Sequence, residues 1–302
     1  MWCSIRVLTK FSGIDGSGTI NKTRGLGMNA AKKVLLLSDN PGGDYASRVR
    51  LGLERTCKLA GLGVEAINVY GSGTKSVDVL RASDHAGIAL TPPLSDDRPL
   101  LSIAEARGVP IVRIAALLDP DRDNIVGMDE FAAASALVGV LTERGHRRIA
   151  ILCGPQAHLV SLRRYNGYAN ALAAKGLRVD QALVGRGDFT RESGKREAPA
   201  LFAAKPTAIF ASNDEMAAGV IDAAKAVGIA IPGDISLVGY DDNAVATQVR
   251  PQLTTVRQPC EAMGEAAGRL LADQVGRRGV QSRQVSVPFD IVERQSVGDL
   301  KE

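Results

Sequence analysis

Histidine is scarce in this chain: His85, His146 and His158 are the whole supply among 302 residues. None has a partner at metal-ligand spacing, and no Ser-His or Cys-His pairing shows in the sequence, so each reads as a structural or surface residue. Four cysteines, Cys3, Cys57, Cys153 and Cys260, stand far apart with no CxxC pair. That pattern speaks for free thiols in a reducing cytosol and against zinc spacing or a disulfide framework. Charge of one sign is not in excess either. A net charge of +4 without a dense Lys/Arg run gives no argument for nucleic-acid binding. No apolar run approaches the ~20 residues that cross a bilayer. The N-terminus shows no basic start, apolar core and small-residue cleavage site. A cytoplasmic location without a membrane partner is the expectation. Neither a P-loop nor a GxSxG elbow is present, so nothing marks an enzyme, and no cofactor or metal is expected.

Aromatics make up only 4% of the chain, while glycine reaches 32 residues. Small residues suit helices laid closely on a parallel sheet. Residues 13–27 are rich in Gly, Ser, Thr and Asn and lack periodicity, which reads as loop or disorder, and 1–29 as a whole reads as a linker or an extension upstream of a start at Met28. The string GLGMNA at 25–30 looks like a dinucleotide fingerprint, but no strand precedes it and no helix follows. From there short apolar runs alternate with helical periodicity. Strands are expected at 34–37, 64–69, 86–90 and 110–114, with helices at 45–60, 99–107 and 130–144. The alternation restarts with strands at 148–152 and 182–184 and helices at 161–174 and 192–204, the last interrupted at Pro199. A helix at 261–275 and a single strand at 285–292 finish the chain. This is the cadence of α/β structure, two doubly wound parallel-sheet lobes facing each other across a cleft.

The stretch 207–259 organises the rest. An apolar run at 208–211 stops at Ser212, Asn213 and Asp214, and a helix follows whose start fits a capping box of Ser212 with Glu215. A second run at 235–238 stops at Gly239, Tyr240, Asp241 and Asp242. Ligands of open parallel sheets bind at the carboxyl ends of strands, which puts Asn213 and Asp241 at a lip. Other polar groups expected at strand ends are Asp39, Asp44, Asp96, Asp97 and Gln258, with Arg164 near a helix start and Tyr45, Phe189 and Tyr240 as aromatic faces. Carboxylates, amides and a guanidinium answer both the hydrogens and the lone pairs of a hydroxylated ligand, and an aromatic covers its apolar side. Taken singly, Asx residues at strand ends are commonest as caps and turn formers. Their convergence on one sheet edge is what favours a site.

Four strings carry a resemblance. ASNDEMAAGV, IPGDISLVGYDD and LTTVRQPCEAMGEAAGRLL, with RGHRRIAIL before them, resemble the sensor domain of the lactose/galactose repressor (LacI/GalR) family over about residues 34–296. The resemblance implies a periplasmic-binding-protein-like fold of two lobes joined by three crossovers, a small-molecule effector such as a sugar or nucleobase, and a homodimer. It carries the ligand-gripping arginine onto Arg164 and the polar contacts onto Asn213 and Asp241. The covering aromatic falls on Phe189, the cleft hinge near Gln258, and a first-helix aromatic on Tyr45 beside Asp44, where the spacing differs from the common pattern. Ala132 stands near a position that is polar in some members. The family's helix-turn-helix run has no counterpart in 1–33, so operator DNA is a partner only if a headpiece is present in the full gene product.

The expected division is an irregular extension at 1–33, an N-terminal lobe at 34–144 plus 260–288, and a C-terminal lobe at 145–259 plus 289–302. The expected function is effector sensing by a regulator, with lobe closure driven by ligand. The alternative is a solute-binding protein of a sugar transport system.

Overall fold

The computed structural model describes residues 32–40, 43–275, 277 and 281–300. The readings made for residues 1–31 lie outside the described residues. The chain opens with β1 (Lys33–Ser38), α1 (Asp44–Leu59), β2 (Gly63–Asn68), α2 (Ser76–Ala82), β3 (Gly87–Leu90), α3 (Arg98–Ala106), β4 (Ile111–Ile114) and β5 (Asn124–Gly127). It continues with α4 (Glu130–Glu143), β6 (Ile149–Cys153), α5 (Leu159–Ala173), β7 (Val184–Arg186), α6 (Arg191–Ala203), β8 (Ala208–Ala211), α7 (Asp214–Ala226) and β9 (Ser236–Val238). It ends with α8 (Ala244–Gln248), β10 (Thr255–Arg257), α9 (Cys260–Gln274), β11 (Gln284–Ser286) and β12 (Asp290–Val292).

Two parallel sheets result. The first has the order β11-β5-β4-β3-β1-β2, the second β7-β6-β8-β9, and β10 with β12 forms an antiparallel ribbon. Each sheet is covered on both faces, which is why its central strands are unbroken apolar runs rather than alternating ones. In β1, Val34 and Leu36 point to the core with Val49, Leu53, Met263 and Ala267 of α1 and α9. Leu35 and Leu37 point the other way, to Leu80, Leu100 and Leu101 of α2 and α3. The second sheet repeats the scheme. Ile149 and Ile151 of β6 meet Leu137 and Leu172, while Ala150 and Leu152 meet Leu201, Met216 and Val220.

The many glycines explain how tightly the helices sit. A Cβ on Gly52 of α1 would lie 1.9 Å from the Glu261 carbonyl of α9, and one on Gly264 of α9 would lie 2.0 Å from the Val49 carbonyl of α1. Neither backbone can move away without opening the packed face, so only glycine fits at either crossing.

Several expectations are corrected. The single strand at 285–292 is two strands: β11 adds to the first sheet beside β5, and β12 pairs with β10. Between them the chain changes sides, as it also does after β5 and after β10, making three crossovers. Helix α4, expected to go with the first sheet, instead packs its Ala134, Leu137 and Leu141 into the second sheet's core. The strand expected at 182–184 starts at Val184, after a turn of 3-10 helix at Gln181–Leu183. Helix α6 runs through Pro199 without a break. The cap of α7 is Asn213, whose side chain accepts from the Met216 N–H, so the Ser212/Glu215 capping box does not form. Among the described residues no helix is long and apolar enough to cross a membrane.

Candidate functional site

Strand ends of the two sheets and the β10–α9 crossover enclose a cavity of roughly 790 Å³, part of it open to solvent. The seven residues that the family resemblance marks, Asp44, Tyr45, Arg164, Phe189, Asn213, Asp241 and Gln258, line it, whereas Asp39, Asp96, Asp97 and Tyr240 are not among its lining residues. Asp44 and Tyr45 come from the first turn of α1. Arg164 comes from α5, Phe189 follows β7, Asn213 follows β8 and Asp241 follows β9. Gln258 lies between β10 and α9.

Arg164 is the hub, and it is more constrained than a free ligand-gripping arginine. Its Nε donates to Glu130 at 2.8 Å and one terminal nitrogen donates to the Ser212 carbonyl at 2.6 Å. Its guanidinium lies over the Tyr240 ring, 3.8 Å from the centroid, close enough for a cation–π contact. Tyr240 in turn donates its hydroxyl to Glu130 at 2.7 Å. Burial alone would drive the guanidinium toward neutrality; Glu130, Tyr240 and Asp241 hold it well above its ordinary range instead. Arg164 is therefore a charged, oriented part of the wall, with one terminal nitrogen 3.9 Å from the Asp241 carboxylate.

Asp241 sits at a strained backbone position, φ 115°, a region that non-glycine residues rarely occupy. Burial pushes its carboxyl up to about 6, against the pull of Arg164 and of the Gln258 amide, which donates to it at 2.6 Å. Arg48 of α1 reaches across from the first lobe and donates to the carbonyls of Asp241 at 3.0 Å and Gln258 at 3.1 Å. The neighbouring Asp242 is structural, bound by Arg257 at 2.7 Å and Arg294 at 2.6 Å. Asn213 divides its amide between capping α7 and donating to the Phe189 carbonyl at 2.9 Å. Its cap role and its place in the wall coexist. That second bond helps fix Phe189, another non-glycine residue with positive φ, 68°. The Phe189 ring meets His158 edge-on at 5.5 Å. It packs so close to Gly154 that a Cβ there would lie 2.2 Å from the ring.

Two buried polar atoms of the wall have no partner: the Tyr45 hydroxyl and Gln258 Oε1. Buried polar groups left unpaired are costly, and here both belong to residues that line the cavity. Among the described residues no group of three or more His, Cys, Asp and Glu could hold a metal.

Sequence reasoning missed Glu130, Arg48, Asn40, His158, Glu215 and Asn243; all but Arg48 line the cavity. Glu130 had a readable signal. It stands four and seven residues before Ala134 and Leu137, on the buried stripe of α4, where a carboxylate requires a partner. Asp96 and Asp97, also expected at strand ends, serve the scaffold. Asp96 accepts from buried Arg113 and from the Leu117 and Leu118 N–H groups, and Asp97 caps α3. Cys57, Cys153 and Cys260 are free and buried.

Residues 138–297 match the model of the periplasmic binding protein-like domain. The HTH-type transcriptional regulator CelR of Thermobifida fusca is 33% identical over 71% of this chain, and the match spans 64% of CelR. The HTH-type transcriptional repressor PurR of Serratia proteamaculans is 30% identical, with 91% of this chain and 83% of PurR covered. Among solved structures, a CelR–cellobiose complex superimposes with a TM-score of 0.81 at 28% identity, covering 88% of this chain and 84% of the other. These relatives are transcriptional regulators rather than transport proteins or enzymes. Fold, motifs and relatives agree: the chain belongs to the LacI family of transcriptional regulators.

Proposed function

We propose that this chain senses a small hydroxylated or nucleobase-like effector in the cavity between its two lobes. The observation that carries the reading is the convergence of Arg164, Phe189, Asn213 and Asp241 from one lobe, Tyr45 from the other and Gln258 from a crossover on a single cavity. Two unpartnered buried atoms there, the Tyr45 hydroxyl and Gln258 Oε1, call for a hydrogen-bonding ligand. A ligand touching both lobes binds the closed arrangement better than the open one, and that difference is the whole of the signal it can transmit. We further infer a cytoplasmic homodimer that acts on operator DNA only through a headpiece.

The test is a thermal-shift screen of monosaccharides, disaccharides including cellobiose, nucleosides and nucleobases, followed by titration calorimetry. A saturable shift, lost in Asp241→Ala and Phe189→Ala, supports the reading. Unchanged binding in both variants sinks the site assignment. A mobility-shift assay with upstream DNA, with and without effector, tests the regulatory part.

A further inference from the structure

Three consecutive residues just past β9 reach all three crossovers between the lobes. Tyr240, fully buried, donates its hydroxyl to Glu130 at 2.7 Å, and Glu130 opens α4 after the first crossover. Asp242 has each carboxylate oxygen taken by a different crossover. Its Oδ2 accepts from Arg257, the last residue of β10, at 2.7 Å, and its Oδ1 accepts from Arg294, just past β12, at 2.6 Å. Asp241 stands between them and lines the effector cavity. Its N–H donates to the Val256 carbonyl of β10 at 2.9 Å. Arg48 of the first lobe adds a tie to the carbonyls of Asp241 and Asp242, at 3.0 and 3.5 Å.

The backbone joins these contacts rigidly. Asp241 and Asp242 both have positive φ, 115° and 50°, which non-glycine residues keep only where their surroundings enforce it. A shift of Asp241 toward a ligand therefore turns the Asp242 carboxylate as well. The Asp242 side chain is only 8% exposed. Burial alone would raise its carboxyl, but Arg257 and Arg294 hold it below its ordinary range, so it stays an acceptor for both strands. Arg294 has a second hold: its other terminal nitrogen donates to the Leu253 carbonyl, on the approach to β10, at 2.8 Å.

We propose that Tyr240, Asp241 and Asp242 form the joint through which effector occupancy reaches the hinge, with Asp242 a positioning residue that sets the second and third crossovers without touching the ligand. This rests on the effector reading above. Asp241 meets the ligand. Asp242 passes the displacement to β10 and β12, and Tyr240 passes it to α4 through Glu130. The element with two states is the lobe arrangement, which the ligand biases by its different contacts in each. An amide in place of the Asp242 carboxylate cannot serve both arginines, because its NH2 offers a donor where a guanidinium needs an acceptor. Asp242→Asn thus cuts the joint toward the ribbon and keeps the arm through Tyr240.

The test is hydrogen exchange of the full chain, free and saturated with the tightest binder among glucose, galactose, ribose, cellobiose, adenosine and adenine. In the parent the ligand is expected to slow exchange about threefold or more at all three crossovers, residues 128–130, 256–258 and 289–294. Asp242→Asn is expected to bind the same ligand within about tenfold of the parent and to keep the slowing at 128–130. The slowing should fall to less than about half at 256–258, at 289–294 or at both. Arg257→Met is expected to lose it at 256–258 and Arg294→Met at 289–294, and these two carry the test if Asp242→Asn does not fold. A purely structural Asp242 would change exchange in the free chain but leave the ligand's effect on it intact. Parent-like slowing in every variant, an equal loss at all three crossovers, or no slowing at the crossovers of the parent overturns the joint and leaves the effector reading standing. Failure of every probe to bind the parent overturns both.

Discussion

Arg164 and Glu130 form a buried ion pair, 2.8 Å between Nε and Oε2, with side chains 5% and 3% exposed. The pair is closed by Tyr240 and by the Ser212 carbonyl. The floor of the cavity is thus built before any ligand arrives, which lowers the ordering cost of binding.

Removing one partner strands the other. Glu130→Ala is expected to cost about 3–5 kcal/mol, because an unpaired guanidinium remains in the core. Arg164→Ala strands Glu130 in the same way, so it should lower the melting temperature as well as remove binding. The double variant Glu130→Met/Arg164→Met should recover much of the stability and still bind nothing. Thermal melts of the three variants check this; additive losses in the double variant would count against a coupled pair.

Asp241 makes the site sensitive to pH. Its carboxyl is raised to about 6 in the folded chain, against ~3.9 in an unfolded one. A raised carboxyl contributes stability that is fully present below about pH 4 and is lost as pH rises through about 6. Asp241→Asn removes that slope, which amounts to about 3 kcal/mol across the whole range. Its melting temperature should therefore gain on the parent's between pH 4.5 and pH 7.5. Effector binding runs the opposite way, since a ligand hydroxyl donates best to the ionised form, and affinity should fall as pH drops below 6. Calorimetry across pH 5 to 7.5 reads the second trend, and a flat profile would contradict it.

Helix contacts supply a control on the packing. Gly52→Ala drives a methyl group into the Glu261 carbonyl of α9 and is expected to destabilise by about 3 kcal/mol. Gly139→Ala, in α4 with open space where the methyl group would stand, is expected to stabilise by about 0.5–1 kcal/mol through helix propensity. Denaturant melts with opposite signs for the two variants confirm it; a loss at Gly139 would not fit.

Arg48 ties the first lobe to the carbonyls of Asp241 and Gln258. Arg48→Met should loosen that tie, weakening effector binding about tenfold while costing about 1–3 kcal/mol of stability. Hydrogen exchange at residues 239–242 should rise; unchanged protection there would show that Arg48 does not hold the lobes.

Much of this was legible because the signals were local. The buried strands are continuous apolar runs, and Asn213 and Asp241 stand where such runs stop. What escaped depends on distance in the chain. Nothing near Glu130 announces Arg164, which is 34 residues away, and nothing near Arg48 announces carbonyls about 200 residues on. The short β10 and α8 carry too few residues for a pattern. The split of 285–292 into β11 and β12 follows from a change of sheet that no periodicity encodes. Asn213 shows the opposite limit: its cap role and its cavity role share one amide, so weighing one against the other posed a false choice.

The most direct measurement is calorimetric titration of the parent chain and of Phe189→Ala and Asp241→Asn with the best ligand of the sugar and nucleobase screen. One ligand per chain, with affinity at least about tenfold lower in each variant while the fold is kept, is the predicted result. Parent-like affinity in both variants would contradict the claim that this cavity is the effector site.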